Sequence, residues 1–375
     1  MSDEKEYVRG LKDVAACQTH VSFVDPFGGL YYVGYDLDRL MGRVCYEEVI
    51  HLLLFRKLPD QLELEALRQK LVSEMKIPQQ VIKRIKESPK KAHPMEVLRT
   101  EVSELGEYDD DPYDFSEASI VNRALCLIAK VPTLVAAIYR VRNNKEILDA
   151  KQEWDFSENF LYIFRGKPAD EVEKEAIDRY MILHADHGLN ASTFAARVTA
   201  STMSDIYSAV TSAIGTLKGK LHGGASEGVM DMLLNINSLQ DVEDYVKGLL
   251  FEGKKVMGFG HRIYMVPDPR SRHLKNVNKI LCQRNNQMDL YYKARKIQNI
   301  VHKEKKLFPN VDFYDSLVLN AMGIPKEFFT SFFASSRITG WVSHILEQYS
   351  DAVLLRPTSR YIGAYGTKFV SIDRR

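Results

Sequence analysis

The chain of 375 residues is poor in cysteine: it has only Cys17, Cys45, Cys126 and Cys282, and no two stand at C-x-x-C spacing. That argues against a disulfide framework or a cysteine zinc site and fits a reducing cytosol. Excess charge of either sign is also missing. The 51 basic and 50 acidic residues leave a formal net charge of +1, so there is no broad field for nucleic acid or an anionic membrane. No uncharged apolar run reaches the length needed to span a bilayer. The opening MSDEKEYVRG has neither an apolar core nor a small-residue cleavage site, which argues against a signal peptide. Internal repeats and low-complexity tracts are absent. The expectation is a soluble cytoplasmic protein without nucleic-acid or membrane partners, long enough for one large core or two domains.

Strand signals are scarce too, and helical periodicity fills the chain. Tyr46 to Lys57 is apolar-rich and stopped by Pro59. Ile120 to Arg140 is mostly apolar and contains Pro132, a residue expected to kink or split a helix. Pro168 suits the first turn of the next helix, where Val172, Ala176, Tyr180 and Leu183 follow at helical spacing. Ser238 with Asp241 reads as a capping box ahead of Val242, Tyr245, Val246 and Leu249. Asp268-Pro269 reads as N-cap and first-turn proline. Further helices fit Leu290 to Lys305, Tyr314 to Met322 and Pro325 to Tyr349. One β element is expected, a hairpin around Leu30 to Tyr35 bounded by Asp25-Pro26-Phe27-Gly28-Gly29. Glu107 to Asp114, acidic and containing Pro112, reads as an exposed loop. The fold class is therefore all-α with a short N-terminal β-hairpin. From Ala191 to Thr216, 17 of 26 residues are Ala, Ser, Thr or Gly, which suits close helix packing within one subunit or between two.

Three short segments carry the chemistry. Leu221-His222-Gly223-Gly224-Ala225 and Gly258-Phe259-Gly260-His261 set a histidine beside glycines, where backbone can approach a ligand closely. Pro309-Asn310-Val311-Asp312-Phe313-Tyr314 sets a carboxylate in a loop context. Two donors able to act while neutral and one acid suit proton abstraction from carbon with stabilisation of the oxyanion. His222 precedes an apolar-periodic helix whose N-terminus would keep an imidazole neutral, although alone it is equally a turn histidine. His261 alone is equally a surface-loop residue. Asp312 lies between Val311 and Phe313, and apolar neighbours raise a carboxyl pKa; its structural alternative is to N-cap the Tyr314 helix. His184 and His187, three apart, would share a helix face. No ligand cluster accompanies them, so capping or ligand hydrogen bonding is preferred to a metal pair. Arg270 opens a helix, while Arg337 and Arg356 stand in apolar or Pro-flanked surroundings. There an arginine needs an anionic partner, a protein carboxylate or a substrate carboxylate.

Together these segments resemble the citrate synthase family over almost the whole chain. Gly10-Leu11-Lys12-Asp13-Val14 and Tyr32-Val33-Gly34-Tyr35-Asp36 look like its opening, and His184-Ala185-Asp186-His187 with Leu189-Asn190-Ala191-Ser192-Thr193-Phe194 like its central signature. Lys220-Leu221-His222-Gly223-Gly224-Ala225, Gly258-Phe259-Gly260-His261-Arg262, Asp268-Pro269-Arg270, Asn310-Val311-Asp312-Phe313-Tyr314 and Arg356-Pro357 complete it. The resemblance implies an Si-type acyltransferase of the tricarboxylic acid cycle that condenses acetyl-CoA with oxaloacetate and hydrolyses citryl-CoA. It implies Asp312 as base toward the acetyl methyl, His222 on the thioester oxygen and His261 on the ketone. His187, Arg270 and Arg337 would hold carboxylates and the new hydroxyl, and Arg356 would reach the neighbouring subunit's site in a homodimer. No metal or tightly bound cofactor is implied. A large domain (1–223 plus 324–375) would carry the dimer interface, with the Ala191 to Thr216 helices at or beside it, and a small one (224–323) would close over the site.

Two departures stand out. Ser226 occupies a position that is usually Asn in the family, and its hydroxyl is expected to cap or donate locally. The chain begins directly with the core motifs, without the N-terminal region of members inhibited by NADH, so that regulation is not expected. Lys254, Lys255 and Arg262 are plausible partners for CoA phosphates. Family members making 2-methylcitrate from propionyl-CoA use the same residues, and Leu221, in place of Lys, resembles the citrate branch. A helical scaffold without activity is the remote alternative, opposed by the intact His222, His261 and Asp312.

Overall fold

The computed structural model describes residues 7–375; the first six, part of the opening segment read above for a signal peptide, lie outside the described residues. Three antiparallel strands come first, β1 (Ser22–Asp25), β2 (Gly29–Tyr32) and β3 (Tyr35–Asp36), paired in that order. Ser22 faces Tyr32 and Asp25 faces Gly29. The expected hairpin thus gains a third strand. Val33 and Gly34 both take positive φ, 47° and 83°, as a two-residue turn between twisted strands requires.

The rest is helical. First come α1 (Leu37–Leu40), α2 (Tyr46–Phe55), α3 (Gln61–Glu74), α4 (Gln79–Glu87), α5 (Pro94–Leu105) and α6 (Glu117–Arg142). Then follow α7 (Phe156–Arg165), α8 (Glu171–His184), α9 (Ala191–Ala200) and α10 (Ile206–Leu217). A second group comprises α11 (Ala225–Leu234), α12 (Val242–Phe251), α13 (Pro269–Arg284), α14 (Met288–Lys305) and α15 (Val311–Ala321). The last helix, α16 (Phe329–Asp351), is buried from Phe329 to Ile345 and packs on α2, α6, α8, α9 and α10. The second group packs mainly on itself, α13 on α14 and α15, α12 on α14, α11 on α15; α13 reaches α8 and α11 reaches α16.

Local chemistry explains most boundaries. Asp268 accepts from the Arg270 N–H and Pro269 takes the first helical position, as expected. Pro132 does not divide its helix. α6 runs unbroken through it, buried on both sides at Val131 and Thr133, and the Thr133 hydroxyl donates to the Ala129 carbonyl. Packing on α16, α7 and α3 outweighs the proline's missing N–H. By length and composition α6 could cross a membrane, yet 83% of its apolar window is buried inside the fold. At α12 the capping roles differ from expectation: Asp241 is the N-cap, its carboxylate accepts from Ser238, and Ser238 caps nothing. The Glu107 to Asp114 loop is mostly exposed, as expected, but Arg123 pins it through Asp109.

Candidate active site

A cavity of about 650 Å³ gathers His187, His222, His261, Arg270, Asp312 and Arg337 from segments spread over about two fifths of the chain. Backbone bonds tie two of these segments together. Gly260 N–H donates to the Phe308 carbonyl at 3.0 Å and Asn310 N–H to the Gly258 carbonyl at 2.9 Å. The Asn310 amide donates to the Gly260 carbonyl at 3.1 Å. The glycines are needed: Gly258 and Gly260 have φ of 78° and 80°, and a Cβ on Gly258 would strike Phe313. His261 and Asp312 are thereby held as neighbours. Asn310, not Asp312, caps α15, accepting from the Asp312 N–H. The carboxylate of Asp312 is therefore free to face the cavity.

Hydrogen bonds fix one imidazole and constrain the others. The Nδ1 of His261 accepts the N–H groups of Ile263 and Tyr264, both at 3.0 Å. A nitrogen that accepts carries no proton, so the neutral ring bears its hydrogen on Nε2 and offers it to a ligand. Burial foremost, with Arg270 adding, pushes the His261 pKa down to about 4. His222 is likewise lowered to about 4, first by burial and then by Arg337. The cause differs from the helix-dipole expectation, since His222 lies two residues before the α11 N-cap, Gly224. Its Nε2 is 2.9 Å from the Ser192 hydroxyl, which also receives the Trp341 N–H at 3.1 Å. The single Ser192 proton also has the Asn190 Oδ1 as an acceptor at 2.7 Å, so the His222 tautomer depends on which of the two receives it. His187 lies beyond the end of α8 in the turn at Gly188, so it shares no helix face with His184. It touches the Tyr264 hydroxyl at 3.2 Å, and burial holds it well below the ordinary histidine range.

Arg270 is clamped by Asp268 through Nε at 3.0 Å and Nη2 at 2.7 Å, which leaves its remaining donors for the cavity. Arg337 is different. It is 1% exposed, donates Nε to the His184 carbonyl at 2.7 Å and stacks on Phe333, yet its Nη2 has no partner. No carboxylate lies within ion-pair distance of it among the described residues. Burial lowers its pKa to about 10 despite Asp186. Two guanidiniums and three neutral imidazoles form an anion-demanding chamber. Against this, burial raises Asp312 to about 6, with Arg270 opposing.

Some expected residues are not brought in. Arg356 is exposed in the tail after α16 and lines no part of this chain's own cavity. Lys254 pairs with Glu252 at 2.6 Å, Lys255 is exposed, and neither reaches the cavity. Arg262 lies at its rim and donates to the Gly10 carbonyl at 2.6 Å. Ser226 is buried, but its hydroxyl has no partner, so the expected local cap is not made. Sequence reading missed Asp186, Ser192, Tyr264 and Trp341. Asp186 accepts from Ser22 and from Gly188 N–H and so fixes the turn bearing His187. A larger cavity of about 740 Å³, lined by Lys76, Lys86, Lys90 and Lys145, assembles no comparable acid–base set.

A carboxylate facing neutral imidazoles and buried arginines within a helical fold suits a condensing enzyme acting on an anionic substrate. The family model described as citrate synthase, C-terminal domain, matches residues 10–358. Citrate synthase 2 of Bacillus subtilis is 45% identical, covering 98% of this chain and 99% of that protein. The citrate/2-methylcitrate synthase of the same organism is 39% identical, covering 98% and 100%. Among solved structures, the ternary complex of carboxymethyl coenzyme A and oxaloacetate with citrate synthase from the thermophilic archaeon Thermoplasma acidophilum superposes with a TM-score of 0.94. It is 30% identical and covers 98% of this chain and 99% of that one. The chain belongs to the citrate synthase family, and its reaction is the condensation of acetyl-CoA with oxaloacetate and water to citrate and CoA.

Proposed function

We propose that the cavity divides this condensation as follows. Asp312 takes a proton from the acetyl methyl of acetyl-CoA, and a neutral His222 hydrogen-bonds the thioester oxygen as the enol or enolate forms. The nucleophilic carbon then attacks the ketone of oxaloacetate. His261 polarises that ketone through Nε2–H and supplies the proton for the new hydroxyl. His187, Arg270 and Arg337 hold the carboxylates and the hydroxyl, and water cleaves the citryl-CoA thioester. The observation that carries the substrate class is Arg337, a buried guanidinium with an unpartnered Nη2 beside Arg270. The unpaired Arg337, together with the donors that Asp268 leaves free on Arg270, suits a dicarboxylate.

For the acyl donor we favour acetyl-CoA. Leu221, 98% exposed at the cavity mouth, is the position that resembles the citrate branch. Because one methylene is worth only about 1–3 kcal/mol in a pocket, the expected kcat/KM with oxaloacetate is about tenfold or more higher for acetyl-CoA than for propionyl-CoA. Steady-state comparison of the two thioesters checks this, and a preference for propionyl-CoA overturns it in favour of 2-methylcitrate synthesis.

A homodimer in the cytoplasm completes the proposal, with residues 224–323 closing on 1–223 plus 324–375 after oxaloacetate binds. Three observations support it. The four cysteines are free. The small-residue helices α9 and α10 pack on each other yet leave a partly exposed face. The tail exposes Ile362, Tyr365 and Phe369 at 92%, 97% and 86%, apolar surface that a partner would cover. Arg356 on that tail would then enter the partner's site. Mixing Arg356→Ala with Asp312→Ala under proven subunit exchange is expected to restore up to about a quarter of wild-type activity, since one site of each random heterodimer is intact. No restoration counts against a shared site. Arg262 at the rim is retained as a CoA phosphate partner, whereas Lys254 and Lys255 would need the closed form to reach it.

A further inference from the structure

Behind the cavity wall lies a titratable pair that the condensation does not use. Asp315 follows Asp312 by one turn on α15 and is fully buried, and neither of its carboxyl oxygens has a hydrogen-bond partner. His184 Nε2 faces it at 3.4 Å, and the Ser316 backbone N–H is a second polar neighbour, one that favours the charged form. His184 is also fully buried and stacked on Tyr180, with Nδ1 2.8 Å from the Tyr180 carbonyl. A carbonyl only accepts, so Nδ1 carries the proton and Nε2 of a neutral ring presents a lone pair. The pair is therefore either imidazole with carboxylic acid, or imidazolium with carboxylate.

The surroundings decide between them. On α15 the nearest charge is Asp312, and α8 presents Tyr180. From α13 come Arg270 and Asp268, bound to each other, and from α16 comes Arg337. On α11, Glu227 is taken by Thr330 and His93, and Asp231 by Lys326 of the following turn. An imidazolium would face two guanidiniums, and a carboxylate at Asp315 would face Asp312. Burial opposes both charges. Accordingly Asp315 is held well above and His184 well below their ordinary ranges, burial being the first cause in each case.

We propose that Asp315 is a positioning residue for the base: a neutral carboxylic acid that directs its proton to His184 Nε2, so that Asp312 titrates as a lone carboxylate. The inference rests on the reading of Asp312 as the carbon base. Two ionised carboxylates one turn apart in a buried site would push one pKa far upward. Keeping the second proton on the Asp315–His184 pair leaves Asp312 ionised at neutral pH. The pair also joins α15 to α8, and the His184 carbonyl holds the Arg337 Nε. Base and substrate cation are thus anchored on one residue.

The test uses Asp315→Asn, whose amide donates to Nε2 as the acid does, and Asp315→Ser, which is too short to reach it. For Asp315→Asn the expected result is an unmoved acid limb in the pH profile of kcat/KM. The infrared difference against wild type should show loss of one protonated-carboxyl band at neutral pH. Other carboxyls raised by burial, Glu101 and Asp178 among them, cancel in that difference. Asp315→Ser should lower kcat about tenfold with the oxaloacetate KM unchanged, since a base displaced by a fraction of an ångström loses rate without losing binding. An acid limb that falls by a unit in Asp315→Asn, or no missing band, shows a charged Asp315 and overturns the proposal. If one variant does not fold, the other carries the pH profile and the difference spectrum. Persistent turnover in Asp312→Ala would instead sink the base assignment and leaves the infrared result standing by itself.

Discussion

Asp312→Ala is expected to lower kcat by about 10²–10⁴-fold, the range general-base catalysis supplies, while oxaloacetate binding stays largely in place. The carboxylate lies on the cavity wall and takes no part in capping α15, which Asn310 does. Its removal should therefore leave the helix and the arginine chamber standing. A pH signature accompanies the loss. Burial raises Asp312 to about 6, and the base must be ionised to accept a proton. Activity should therefore fall as pH drops through about 6, where an ordinary aspartate would hold it to about 4. His222 and His261, both near 4, stay neutral over that interval and add no second limb. Steady-state rates across pH, with calorimetric titration of oxaloacetate into the variant, check both parts. A variant with near wild-type turnover rejects Asp312 as the base.

That His222, His261 and Asp312 would meet in one cavity was legible because each advertises itself locally: a histidine beside glycine that lets backbone approach, or an acid between apolar neighbours after Pro-Asn. The same local rules placed the Asp268-Pro269 start of α13. They failed where distant contacts decide. Nothing around Pro132 says that α16, some two hundred residues on, will hold α6 as one continuous helix. Ser192 matters because Trp341 and His222 meet at its hydroxyl, and Asp186 because Ser22 and Gly188 do. Capping roles slipped by a few residues at α12 and α15, since Ser, Asn and Asp compete for the same N–H groups and only backbone geometry chooses. Arg337 and Arg356 looked alike in sequence. One is buried in mid-helix and the other lies exposed on the tail, a difference set by where α16 ends at Asp351.

Arg337→Met should move stability and binding in opposite directions. A guanidinium 1% exposed, with no carboxylate partner and one nitrogen unsatisfied, carries a desolvation cost that the unliganded protein does not offset. A side chain of similar length without charge removes that cost and keeps the contact with Phe333. The bond to the His184 carbonyl and the cation's attraction to the Phe333 ring are forfeited, about 1 kcal/mol each. Asp186 keeps Ser22, Gly188 and His344 as partners, so no orphan carboxylate is created. The unliganded variant should therefore melt at or above the wild-type Tm. Oxaloacetate loses a buried charge-assisted contact worth about 2–5 kcal/mol, weakening Kd by about 30- to 4,000-fold. Scanning calorimetry with and without oxaloacetate reads both effects at once: ligand raises the wild-type Tm, and the variant should show little shift at the same concentration. A lowered Tm with an unchanged ligand-induced shift would make Arg337 a structural cation and remove the basis for reading the chamber as a dicarboxylate site. The expected pairing follows from a cation buried at a cost to the empty protein, whose unpartnered nitrogen is satisfied only when an anionic substrate arrives.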